Sequence, residues 1–191
     1  SVLYRTNAQS RSIEDALLER NIAYKIFGGV SFYERREVRD IIAYLRLIIQ
    51  PYDALSFERA ATRPKRGLGA ITLQKTIEGV QSRGVSFLDF LRGLPNGEFA
   101  EIGLSEKQKK GFASLYEGLK AAQEALSGGQ LSQAFLHLIQ DTGYITYLES
   151  EQETFLERRE NINQIVLKAK EWEEEHSEER IRLFLEEMVL K

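Results

Sequence analysis

The chain has no cysteine, one methionine, one tryptophan and three prolines in 191 residues. Without thiols it can have no disulfide scaffold, no Cys-ligated zinc and no Cys nucleophile, and it suits a reducing cytoplasm, where it is expected to reside. No apolar run approaches the ~18–20 residues of a membrane span, so no membrane partner is expected. The charged-then-apolar opening of a signal peptide is also missing. The chain starts at Ser1 within an apolar run, and we expect it to be a piece of a longer protein.

Catalytic patterns are equally scarce. There is no Walker A sequence and no HExxH, and His137 and His176 lie far apart. His137 sits among Phe135, Leu136, Leu138 and Ile139, the setting of a satisfied core or boundary histidine. The acidic run from Glu171 to Glu179 follows helical spacing and reads as a solvated helix face. Nothing arranges Ser, His and Asp as a triad. No catalytic residue, metal ligand or cofactor is expected in this chain.

Charge is where the sequence speaks. Lys and Arg number 26 and Asp and Glu 29, a net of −3. Residues 1–92 carry 15 basic and 10 acidic side chains, whereas residues 93–191 carry 11 and 19, so the halves stand at +5 and −8. One half suits a polyanion and the other repels it.

Hydrophobic periodicity predicts a mainly α fold. Val2–Tyr4 and Tyr24–Phe27 read as short strands flanking a helix that Ser12 caps and Asn21 stops, a β-α-β unit. Helices follow over Glu37–Gln50, Leu55–Ala61, Ile71–Gln81, Ser86–Leu91, Glu106–Leu126, Leu131–Asp141, Phe155–His176 and Glu179–Leu190. Pro51 ends the first of these and Pro64 separates the second from the third.

Between Glu58 and Glu78 there is no acidic residue, but Arg59, Arg63, Lys65, Arg66 and Lys75 are present. Within that interval Lys65-Arg66-Gly67-Leu68-Gly69 forms a tight turn into a helix. Glycines let backbone N–H groups approach an anion, the helix N-terminus adds a favourable dipole, and Lys and Arg clamp either side. A duplex phosphate backbone fits such a turn; so does a solvated loop with a helix cap. The second polar cluster, Arg5-Thr6-Asn7-Ala8-Gln9-Ser10-Arg11, follows the first strand, where open α/β sheets place ligands. Arg5 and Arg11 can pair phosphates, and Asn7 and Gln9 can hydrogen-bond sugar, phosphate or base. A polar strand-to-helix loop is the other reading.

Together these stretches resemble the UvrD/Rep/PcrA group of superfamily 1 DNA helicases. Leu3-Tyr4-Arg5-Thr6-Asn7-Ala8-Gln9-Ser10-Arg11 resembles the group's LYRTNAQSR motif. Gly28-Gly29 and Phe32 to Asp40 resemble its next pattern, Ala43-Tyr44-Leu45-Arg46-Leu47 continues it, and Pro64 to Gly69 matches PKRGIG with Leu68 for Ile. Arg63 stands where the group has a small apolar residue, and Thr142-Gly143-Tyr144 resembles its TGY segment more loosely.

The resemblance implies that residues 1–29 belong to the RecA-like motor domain 2A, and that residues 30–191 form its helical 2B insertion. It implies single-stranded DNA at Arg5 and Asn7, duplex phosphates at Lys65, Arg66, Gly67 and Gly69, and 3′–5′ unwinding by the parent. ATP and Mg are implied for that parent, whose nucleotide-binding motifs this chain lacks. Its partners would be a single-strand/duplex junction, the remaining helicase domains, and a protein on the acidic helical face. Two alternatives stay open: an autoinhibitory or protein-interaction module, and the equivalent segment of a helicase–nuclease subunit.

Overall fold

A computed structural model describes residues 1–175 together with Leu183, Phe184, Glu186 and Met188. Among these residues there are helices and no strand. The helices are α1 (Ser10–Glu19), α2 (Arg36–Ile49), α3 (Ala54–Thr62), α4 (Ala70–Ser82), α5 (Phe87–Gly93), α6 (Glu106–Ser127), α7 (Leu131–Gln140), α8 (Tyr144–Glu149) and α9 (Phe155–Glu175). His176 and most of the helix expected over Glu179–Leu190 lie outside the described residues; Leu183, Phe184, Glu186 and Met188 are helical.

The centre of the fold is α2. Its apolar positions recur with the helical period, so Val38, Ile41, Tyr44, Leu45 and Leu47 are all buried. The helix ends at Gln50, ahead of Pro51, and Asp53 caps α3 by accepting from the Leu55 N–H. Phe57 of α3 stacks on Phe87 of α5 at 4.2 Å between ring centroids and lies 5.9 Å from Phe112 of α6, joining three helices in one aromatic cluster. Before Pro64, Arg63 is extended (φ −129°, ψ 102°), the conformation a following proline favours, and α3 stops there.

The longest helix among the described residues, α6, opens with a capping box. Ser105 accepts from the Gln108 N–H, and Gln108 Oε1 accepts from the Ser105 N–H at 2.9 Å. Ser105→Ala is expected to lower stability by ~1 kcal/mol, read as a shift of the urea midpoint at unchanged slope.

The expected β-α-β unit is corrected. Val2–Tyr4 and Tyr24–Phe27 make no ladder, and Leu3 and Phe27 are 93% and 84% exposed. A strand forms only against a partner strand, and β-prone residues cannot supply one. The helix between them also begins earlier than Ser12. Gln9 Oε1 accepts from the N–H groups of Arg5 and Thr6, winding a 3-10 turn at Asn7–Gln9 that leads directly into α1. Asn21 does stop α1: at φ +53° it lets the Ile22 N–H return to Leu17 O at 2.8 Å.

Polar side chains hold residues 1–29 to the helical body. Glu14 accepts from Ser31 Oγ (2.5 Å), Tyr24 Oη (2.9 Å) and the Phe32 N–H (2.9 Å). Asp15 accepts from Tyr33 Oη at 2.7 Å and from Lys168 Nζ on α9 at 3.1 Å. Arg35 donates to Ser10 Oγ at 2.7 Å and to Asn161 Oδ1 at 2.8 Å, and burial pulls its pKa below the usual arginine value.

Candidate nucleic-acid interface

The turn between α3 and α4 is built by packing from beneath. Arg66 is 7% exposed and points inward. Its Nε donates to Ala60 O at 3.3 Å, Nη1 to Gly111 O at 3.1 Å, and Nη2 to Thr142 O at 3.1 Å. Nη2 also lies 3.5 Å from Tyr44 Oη, which itself donates to Arg63 O. These partners are neutral, so burial lowers the pKa of the guanidinium and raises that of Tyr44 to about 12. Gly111 makes the crossing possible, since a Cβ there would stand 2.9 Å from Arg66 Cβ.

The outer surface of the turn is different. Lys65, Gly67 and Gly69 are exposed. Gly67 has φ +76°, which a side chain would strain, and its carbonyl accepts from Gln108 Nε2 at 2.8 Å. Gly69 is the N-cap of α4, whose first N–H groups have no side-chain cap, and a Cβ on Gly69 would meet nothing within 4 Å. The turn therefore presents a lysine, an open glycine and the positive end of a helix on one surface.

Arg63 connects this turn to a groove of 670 Å³ between α2 and α3, lined also by Arg39, Arg46 and Arg59. Arg59 is held by the buried Asp40, Nε to Oδ1 2.6 Å, while Tyr144 Oη donates to Asp40 Oδ2 at 2.7 Å. Sequence reasoning missed this groove. Part of the signal was available: Arg39 and Arg46 are two turns apart on α2, a spacing that shares a face, whereas Arg63 lies just past the end of α3.

At the N-terminal motif, Arg5 and Asn7 line a cleft of 1460 Å³ formed by residues 1–10, 12–14, 17 and 22–28 with Leu156, Glu157, Glu160 and Gln164 of α9. Both are exposed, and Asn7 Nδ2 donates to Glu157 Oε1 at 2.5 Å. Arg11 departs from expectation. It is 4% exposed, pairs with Glu171 at 3.1 Å and Asp15 at 3.4 Å, and donates through Nε to Gln164 at 3.3 Å. Thus Arg5, Asn7, Lys65, Gly67 and Gly69 face outward, while Arg11 and Arg66 are engaged inside. The two outward groups belong to separate surfaces, the cleft and the turn.

His137 sits at the boundary, its Nδ1 2.6 Å from Asp141 Oδ2. Among the described residues, no three His, Asp or Glu side chains cluster to hold a metal ion, and no helix is long and apolar enough to cross a membrane.

Comparison with known proteins shows the family of the chain. The chain is 36% identical over its whole length to the ATP-dependent DNA helicase PcrA of Bacillus subtilis, covering 25% of that protein. It is 37% identical over 90% of its length to the ATP-dependent DNA helicase UvrD1 of Mycobacterium tuberculosis, covering 22% of it. It is also 33% identical over 91% of its length to PcrA of Staphylococcus aureus, covering 23%. The chain thus spans about a quarter of the length of these relatives. The UvrD-like helicase C-terminal domain matches residues 1–191, and the chain belongs to that family.

Proposed function

We propose that this chain is the DNA-gripping segment of an ATP-dependent DNA helicase. Residues 1–29 are assigned to motor domain 2A and residues 30–191 to the helical 2B insertion. Duplex phosphates meet Lys65 and the backbone of Gly67 and Gly69, and single-stranded DNA meets Arg5 and Asn7. The exposed turn leading into the uncapped N-terminus of α4 carries this reading. Such a site holds phosphate by charge and backbone N–H groups and reads shape, with no base contact. Arg11 and Arg66 act as struts that fix the two segments. Unwinding direction, 3′–5′ in the resemblance, belongs to the whole motor. ATP and Mg belong to the parent motor; this chain contains no Walker A sequence.

The test is fluorescence anisotropy of the chain with a labelled single-strand/duplex junction across a salt series. Affinity is expected to fall steeply with salt, and Lys65→Ala to reduce the log–log slope by ~0.9. A chain that binds no junction at low salt would refute the reading.

A specific contact also favours an autoinhibitory role. The Glu157 carboxylate of α9 holds the Asn7 amide and stands in the cleft where a phosphate of the single strand would pass. Glu157→Gln is expected to raise affinity for a single-stranded oligonucleotide by removing a like charge. An unchanged affinity would discard this role. The acidic surface of α9 is left to the rest of the motor or to another protein.

A further inference from the structure

Five asparagines stand in the chain, and one of them, Asn96, is followed by glycine. The other four precede Ala8, Ile22, Ile162 and Gln164, whose Cβ atoms crowd the next backbone nitrogen. Three of those four are restrained as well. Asn7 gives its amide to Glu157, Asn161 is buried between Arg35 and Glu37, and Asn163 lies within α9.

Asn96 has neither kind of protection. Leu94-Pro95-Asn96-Gly97 closes a tight turn, with proline and glycine at the positions such a turn favours, and the Gly97 N–H donates to Leu94 O at 3.1 Å. Asn96 and Gly97 are exposed, and a Cβ on Gly97 would meet nothing within 4 Å. The Asn96 amide makes no hydrogen bond among the described residues. Its carbonyl carbon can therefore meet the Gly97 nitrogen at the cost of one solvent-exposed turn bond.

We propose that Asn96–Gly97 is a covalent modification site, at which the chain deamidates with water and hydroxide as the only reagents. Asparagine is a thermolabile residue, and this is its most open setting in the chain. Base removes the Gly97 N–H proton, and that nitrogen attacks Asn96 Cγ. The N–Cγ bond forms, the Cγ–Nδ2 bond breaks, and the amide nitrogen leaves as ammonia, closing a succinimide ring. Water then opens the ring. Opening at Cγ gives aspartate, whereas opening at the main-chain carbonyl of residue 96 gives isoaspartate, whose chain runs on through Cγ. Amide and water become carboxylic acid and ammonia, and nothing is oxidised or reduced.

The two products differ in consequence. Aspartate keeps the length of the backbone, but isoaspartate adds one main-chain atom to the turn. The residues that follow hold this loop to two helices. Glu98 O accepts from Arg83 Nη1 at 2.6 Å at the end of α4, and the Arg83 guanidinium lies 4.5 Å from the centroid of the Phe99 ring. Phe99 is buried and meets Phe90 of α5 edge-on at 5.0 Å. A longer main chain at residue 96 pulls these contacts out of register, and the isoaspartate form is expected to melt below the unmodified chain.

Peptide mapping by mass spectrometry tests this on the folded 191-residue chain kept warm in mildly alkaline buffer. The peptide holding residue 96 is expected to gain about one dalton and to separate into two isomers as ammonia is released. Conversion should slow in mildly acidic buffer, where the Gly97 nitrogen keeps its proton. Asn96→Gln, which would need a larger ring, is expected to stay unmodified, and Asn96→Asp to melt with the wild type. Conversion in urea but not in the folded chain would show that the turn blocks the attack and would overturn the proposal. So would conversion at Asn7, Asn21, Asn161 or Asn163 as fast as at Asn96.

Discussion

Replacing Arg66 by Met is expected to destabilise the chain by about 3–5 kcal/mol and to remove more than one phosphate contact from its duplex binding. The guanidinium satisfies the carbonyls of Ala60, Gly111 and Thr142, which belong to three separate parts of the fold. Removing it takes that donor from Ala60 O and Thr142 O and leaves Gly111 O with its helical one alone, at about 1–3 kcal/mol for each carbonyl left unsatisfied before relaxation. Relief of a desolvated charge offsets part of that, which places the net below the simple sum. Lysine keeps the charge but cannot reach three divergent carbonyls with one ammonium, so Arg66→Lys should recover only part of the stability. Its neighbour behaves differently. Lys65→Ala is expected to stay within about 0.5 kcal/mol of the wild type, while the duplex salt slope falls by ~0.9. Urea denaturation and anisotropy on the same variants separate the two roles. If Arg66→Met is as stable as the wild type and loses the slope of a single contact, Arg66 is a surface contact and the strut is wrong.

The second large effect is expected at Gly118 of α6. A Cβ there would stand 2.5 Å from Thr142 Cγ2 and 2.9 Å from Thr142 N. The second of these is backbone, so α6 must move away from the turn between α7 and α8. Such overpacking typically costs about 1–3 kcal/mol. Gly118→Ala should also weaken duplex binding, because it displaces Thr142 O from Arg66. Gly128 provides the contrast. Its φ is −89° and a Cβ would lie 3.6 Å from Ala125 O, so Gly128→Ala is expected to be neutral or to stabilise by up to ~1 kcal/mol. Equal melting temperatures for the two variants would show that the close approach at Gly118 carries no cost.

Much of the helical layout was legible because it rests on local rules. The apolar stripe of α2, its end before Pro51 and the break of α3 before Pro64 follow from period and proline geometry. The glycine at position 67 was legible as a turn residue, and it adopts φ +76°. The directions of Lys65 and Arg66 were not. The two are adjacent and alike in charge, and what buries Arg66 is a pair of carbonyls 45 and 76 residues away. Arg11 was misjudged for the same reason, since Glu171 lies 160 residues on. The expected strands had β-prone residues without a partner, and α8, at six residues, is too short to show a period.

The central claim is that duplex phosphate sits on the turn at residues 63–69. Amide chemical-shift perturbation tests it most directly: isotope-labelled chain titrated with a short duplex at low salt. The largest shifts are expected at Lys65, Gly67 and Gly69 and in the first turns of α4 and α6, disappearing at high salt. Shifts concentrated on the acidic surface of α9, or none at the turn, would contradict it.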